Sequence, residues 1–299
     1  LVGEAFSAGK FNLFDFGFNL GFKEFIARPY VFLTAVIGGG IFSIASHGTD
    51  QLIVQRLLAT KNVRSSQKAL IGSGIVVFLQ FALFLCIGLL LYMFYSGAAP
   101  KGLGLATTDE IFAKFIVEEI PAGISGLIIA SILAAAMSTL SSSLNSLASA
   151  TTLDLYKPHF GKNNTPDKDL RISRMITLGW GVILTGSAFL FAGMQLHAGE
   201  GRPAVVELGL GIASYTYGGL LGAFTLGMLS GKIGKADAAF GFYSGLIALL
   251  FMVKGPVQNI LPGEGLNLAW PWYTVVGTAI VVTAGNLSYL IRKYFFNRE

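Results

Sequence analysis

Seven stretches of this chain are too long and too continuously apolar to be left in water. They cover residues 30–55, 69–95, 120–153, 172–196, 205–229, 236–253 and 272–292. Coiled as helices, each is long enough to cross a hydrocarbon core about 30 Å thick. The runs do not alternate with period two, which argues against the strands of a membrane barrel. Of the 299 residues, 53% are hydrophobic and 12% charged. A soluble domain is typically about 25% charged, and a water-facing surface this poor in charge would aggregate. The expectation is an all-α integral membrane protein of about seven transmembrane helices. Residues 30–299 form the membrane domain, and residues 1–29 form a loop on the outer, extracellular or periplasmic side. The chain starts at Leu1 and its first residues lack a basic segment followed by an apolar one, so they do not read as a signal peptide. The sequence reads as a piece of a longer chain.

Charge gives the spans a direction. The connections after spans one, three, five and seven hold Arg56, Lys61, Arg64, Lys68, Lys157, Lys162, Lys168, Arg171, Arg174, Lys232, Lys235, Arg292, Lys293 and Arg298. The other side holds only Lys10, Lys23, Arg28, Lys101, Lys114, Arg202 and Lys254. The positive-inside rule then puts the first side in the cytoplasm, so the chain starts outside and ends inside the cytoplasmic membrane. Aromatic residues fall at the span ends: Phe11, Phe14, Phe16, Phe18 and Tyr30 before the first, Trp270, Trp272 and Tyr273 opening the last. Residues 108–119, with Asp109, Glu110, Glu118 and Glu119, read as a short amphipathic helix, either interfacial or solvated. Lys and Arg cluster only at span ends, so nucleic acid is not an expected partner. His47, His159 and His197 are far apart, Cys86 stands alone in an apolar run, and CxxC, HExxH and P-loop patterns are missing. Neither an enzyme nor an organic cofactor is expected.

Two spans carry polar chemistry. The first contains Gly38, Gly39 and Gly40 at mid-membrane, followed by Ser43, Ser46, His47 and Asp50. Three glycines cost about 3 kcal/mol of helix propensity against alanine. One account is a broken helix whose freed backbone lines a cavity and holds a ligand. The other is close packing through small residues. In the third span, spacings of three and four put Ser131, Ala135, Ser138, Ser142, Asn145 and Ser149 on one face, with Thr139 about 100° round the helix. Hydroxyls and carbonyls can replace the water of a hard monovalent cation. They can equally bond the carbonyl four residues back while small residues pack. Gln80, Glu207, Tyr215 and Tyr217 are further polar candidates. Glu207 reads as interfacial, and Asp50 with His47 as a helix-end cap or an ion pair with Arg56.

At these two spans the sequence resembles the sodium:solute symporter family. Gly48-Thr49-Asp50-Gln51-Leu52-Ile53-Val54-Gln55-Arg56 is similar to the family signature G-x-[DN]-Q-x-x-x-Q-R, continued by Leu57-Leu58-Ala59-Thr60-Lys61 and Ser66-Gln67-Lys68-Ala69-Leu70. Residues 135–145, with Asp154-Leu155-Tyr156-Lys157 after them, resemble the family's sodium-binding helix. The resemblance implies a LeuT-type fold, of which this is the C-terminal portion: spans one to five as the second inverted repeat, spans six and seven peripheral. It implies sodium-coupled symport of a small organic solute or anion, with Na+ as the coupling ion and lipid, sodium and solute as partners. A transporter-like sensor domain or a channel are the alternatives. It further implies sodium ligands at the Ala135 carbonyl and the Ser138 and Thr139 hydroxyls, with Ser141 and Ser142 where a second sodium is used. The substrate-facing set would be Gly39, Gly40, Ser43, Ser46, His47, Gln80 and Tyr215. Sugar carriers of the family place amide and aromatic residues where this chain has Ser43, Ser46 and His47, which argues against a sugar.

Overall fold

The computed structural model describes residues 14–197, 204–229, 233–253 and 266–296, together with Gly3 and Phe6. Lys10, Phe11, Arg202, Lys232, Lys254 and Arg298, used in the charge and aromatic maps, lie outside the described residues. Within the described residues the protein is all-α and has seven helices long and apolar enough to cross a membrane. Span one is Phe32–Thr49, span two Val63–Phe94, span three Ala122–Phe160 and span four Pro166–Gly193. Span five is Val205–Leu229, span six Lys235–Met252 and span seven Pro271–Phe295.

Of the two accounts of the span-one glycines, the broken helix is not what forms. The three glycines do not unwind the span. Residues Ala35–Gly39 form a π-helical turn, with the Gly40 N–H bonding to the carbonyls of Ile37 and Val36. A π-turn absorbs one extra residue while keeping most backbone groups paired, which costs less in a membrane than an open loop. The helix stops instead at Asp50, whose backbone is extended (φ −75°, ψ 119°), and a second helix runs Gln51–Leu58. Asp50 starts that helix, because its carbonyl accepts the N–H groups of Ile53 and Val54 at 3.2 and 2.9 Å. Span two begins earlier than its apolar run, since the Asn62 side chain caps the Ser65 N–H at 2.9 Å. The amphipathic segment is helical over Asp109–Glu118, closed by a Lys114–Glu118 ion pair at 2.7 Å.

The chain divides into two compact units, residues 1–97 with 204–299, and residues 98–203. The core of the first lies where spans five, six and seven meet. Glycines let these helices approach almost to backbone contact. A methyl group on Gly222 or on Gly245 would fall 2.4 Å from a Val281 side-chain carbon, and one on Gly241 would fall 2.6 Å from the Val281 carbonyl. One on Gly285 would meet Leu226 at 2.4 Å. Val281, Leu226 and Leu249 are wholly buried there. Without a hydrophobic drive between helices in lipid, such close packing and cross-helix hydrogen bonds hold a bundle together. The Thr278 hydroxyl accordingly donates to the Gly218 carbonyl at 3.2 Å. At the start of span six, Asp237 is 1% exposed and accepts from the Gly234 N–H (3.0 Å), the Ser288 hydroxyl (2.9 Å) and the Arg292 guanidinium. That arrangement caps span six and ties it to the end of span seven.

The second unit pairs spans three and four. Trp180 Nε1 of span four donates to Thr151 Oγ1 at 2.9 Å, where span three passes through a π-turn over Thr151–Tyr156. Beyond it, Lys157 pairs with Asp169 at 3.1 Å, and Asn164 donates to the same carboxylate at 3.1 Å.

Candidate functional site

Span three carries the hydroxyl-rich face. Ala135, Ser138, Thr139, Ser141 and Ser142 are all exposed within their unit. Thr139 Oγ1 donates to the Ala135 carbonyl at 3.1 Å. This is the bond to the carbonyl four residues back that a hydroxyl makes in any helix. It also sets two uncharged oxygens side by side, close enough to share one cation, and the carbonyl keeps a second lone pair for it. Ser138, one residue before, is on the adjoining face and makes no hydrogen bond among the described residues. Ala135 and Thr139, with Ala136, Leu140 and Ser143, line an open groove of about 590 Å³ whose other wall includes Leu184 of span four. Ser138 and Ser142 lie round the helix from that groove, and Ser141 further still. The five candidates therefore divide into a groove-side pair and a set pointing away from span four.

This donor set suits a monovalent ion better than a divalent one, because it offers oxygen dipoles and no carboxylate. Among the described residues no group of three His, Cys, Asp or Glu side chains is placed to hold a metal ion.

The substrate candidates divide as well. Gly39 and Gly40 are half-buried with open space beside their Cα atoms, whereas a methyl on Gly38 would lie 2.7 Å from Pro271 Cβ. The packing account of the triplet thus holds for Gly38 alone; Gly39 and Gly40 meet nothing within 4 Å, and the helix is broken at none of the three. One turn on, the Ser46 hydroxyl lies 3.2 Å from the Ser43 carbonyl and 2.9 Å from His47 Nδ1, which itself lies 2.9 Å from the same carbonyl. A carbonyl only accepts, so in that contact Nδ1 is the donor. Gly40, Ser43 and His47 follow at helical spacing, giving span one a short polar stripe.

Two candidates lie elsewhere. Tyr215 is 8% exposed in the core of the first unit, its ring 4.9 Å from that of Tyr273. Its place is in the packing of spans five and seven. Gln80 is exposed on span two, a helix exposed along most of its length, and no hydrogen bond or groove among the described residues joins it to the stripe of span one.

Sequence reasoning flagged Tyr217, Glu207 and Asp50 without joining them. Tyr217 Oη donates to Asp50 Oδ2 at 2.8 Å, and Tyr30 Oη donates to Glu207 Oε1. The Tyr217 ring is also edge-on to Phe42 at 5.2 Å, and Phe42 edge-on to Trp270 at 5.7 Å. Partial desolvation and the bond to Glu207 hold the Tyr30 phenol above its ordinary pKa, so it stays a neutral donor at physiological pH. The available signal was weak: polar residues in apolar spans, with nothing in their spacing to name the partner 167 or 177 positions away.

The sequence pattern of the sodium:solute symporter family matches residues 14–198. The sodium/sialic acid symporter of Aliivibrio fischeri is 28% identical over 265 residues, covering 88% of this chain and 49% of that protein. The human sodium/iodide cotransporter is 29% identical over 231 residues, 76% of this chain and 34% of its own length. The mouse sodium-coupled monocarboxylate transporter 1 is 28% identical over 280 residues, 91% of this chain and 43% of its own. The chain spans about half the length, or less, of these relatives.

Proposed function

Since the chain belongs to the sodium:solute symporter family, we propose that it forms part of a transporter that carries a small organic solute or anion into the cell with Na+. In the complete transporter, spans one to five would form the second inverted repeat of a LeuT-type fold, with spans six and seven outside it. The membrane would be the cytoplasmic one, with the Arg- and Lys-rich connections inside. Na+ would lie against the Ala135 carbonyl and the Ser138 and Thr139 hydroxyls, and a second sodium, where used, against Ser141 and Ser142. The solute would face Gly39, Gly40, Ser43, Ser46 and His47 on span one.

The observation that carries this reading is the 3.1 Å pairing of Thr139 Oγ1 with the Ala135 carbonyl on an exposed, uncharged, hydroxyl-rich face. Energy for uphill transport would come from the sodium gradient and the membrane potential, about 2.3 kcal/mol per charge per 100 mV. Ion binding would favour one orientation of the helices over the other, by its differential affinity for the two.

The test is uptake by the complete protein in liposomes, screening sialic acid, iodide and short monocarboxylates in sodium against potassium buffer. Sodium-dependent uptake is expected, and the joint substitution Ser138→Ala, Thr139→Ala is expected to raise the sodium concentration for half-maximal uptake by about tenfold or more, the effect of losing two oxygen ligands. Sodium-driven uptake unchanged by that pair would remove the site from span three.

A further inference from the structure

Span one is fastened to its neighbours at three levels. Before its first turn, the Tyr30 phenol donates to Glu207 at the start of span five. At the π-turn, Gly38 is pressed against Pro271 at the start of span seven, with no room for a single methyl group between them. Just past its last residue, Asp50 accepts the Tyr217 phenol of span five at 2.8 Å. The two polar ties are reciprocal. In one the carboxylate is on span five and the tyrosine precedes span one; in the other the carboxylate follows span one and the tyrosine is on span five. Each is a hydrogen bond to a carboxylate, stronger than a neutral pair, and the Asp50–Tyr217 bond is half-buried and backed by the Phe42 ring.

A span built only to pivot on its own glycines would be free at one end. This one is held at both ends and in the middle, by residues of spans five and seven that are themselves locked together around Val281. We infer that span one moves with spans five, six and seven as one rigid body, and that Tyr30 and Tyr217 are the positioning residues that keep its Ser43–Ser46–His47 stripe in fixed register with span five. Any conformational change then carries the stripe along with the bundle. Gly38 is a packing surface in that body and not a hinge.

The inference is tested without knowing the solute. Ile44 of span one and Phe224 of span five are both exposed within the same unit. Replaced by cysteine in a cysteine-free form of the complete protein and spin-labelled in liposomes, they report their separation by pulsed electron resonance. One narrow distance is expected, the same in sodium and in potassium. Tyr30→Phe with Tyr217→Phe is expected to add a second population, since each lost bond to a carboxylate shifts such a balance by about tenfold. Asp50→Asn, which keeps an acceptor oxygen for Tyr217, is expected to retain the single distance. A wild-type distance that changes between the two salts, or one left narrow by the double tyrosine substitution, would overturn the rigid body. Failure of sodium-driven uptake would leave this result standing, because the distance does not depend on transport.

Discussion

Spans five to seven and span three are both rich in small residues, and they use them in opposite ways. In the first group the small residues are glycines that meet another helix: Gly222 and Gly245 on the Val281 side chain, Gly241 on its carbonyl, Gly285 on Leu226. In span three they are mostly Ala and Ser, and over residues 130–142 they remain exposed within their unit, with Gly123 and Gly126 meeting nothing within 4 Å. The difference is chemical. A glycine contributes no oxygen beyond its backbone, so its value lies in closeness. A serine or threonine spends some of that closeness on a hydroxyl, which is worthwhile where something must be bound. Small residues in a membrane span are thus not one signal but two, and the hydroxyl content separates them.

Four substitutions in the complete protein would break or sharpen that contrast. The largest effect is expected at Asp237→Ala, which strips three donors of their acceptor at the joint of spans six and seven. Thermal unfolding in detergent should register a loss of about 3 kcal/mol, the low end for a broken buried pair because the Arg292 side chain is 43% exposed. Next is Gly222→Ala. Its methyl collides with Val281, and overpacking of that kind costs about 2 kcal/mol; adding Val281→Ala should restore much of the loss, and failure to do so would mean the collision is not the cause. Thr278→Val keeps the shape of span seven and deletes its bond to span five, for about 0.6 kcal/mol. The smallest effect is expected at Ser142→Ala, within about 0.5 kcal/mol of wild type, because the side chain is exposed within its unit and makes no hydrogen bond among the described residues. A large loss at Ser142 would show that span three is packed in the same manner as the bundle, and the contrast would collapse.

The spans were legible because hydropathy and charge are properties of the chain itself. So was the grouping of hydroxyls on one face of span three, which follows from helical period. What could not be read was which of two accounts each small residue obeys. The cost of the glycine triplet is intrinsic to span one, but its compensation comes from Pro271, more than two hundred residues later. Tyr215 and Tyr217 make the same point within one helix. They are two residues apart, about 200° round the axis, and sequence gives no reason to prefer one. The structure turns the first into the core against Tyr273 and the second onto Asp50. The family signature around Asp50 was visible, while its tyrosine partner was only one polar residue among several. Likewise Thr139 satisfies the ordinary helical bond and the geometry of a ligand pair with the same 3.1 Å contact, so chemistry alone left both accounts open.

The π-turn at Ala35–Gly39 has a consequence of its own. It holds one residue more than an α-helical path would need, so it acts as a vernier between the two parts of span one. Deleting any one residue there would let the backbone relax to an α-helix with the parts before and after it still facing as they do now, because the wide turn is what takes up the extra residue. Thr34 and Val31 would stay buried, and Ser43 and His47 would keep their place. The same deletion in the regular helix after the turn would rotate one part against the other by about 100°, so the π-turn is where this helix can lose an amino acid without a change of face.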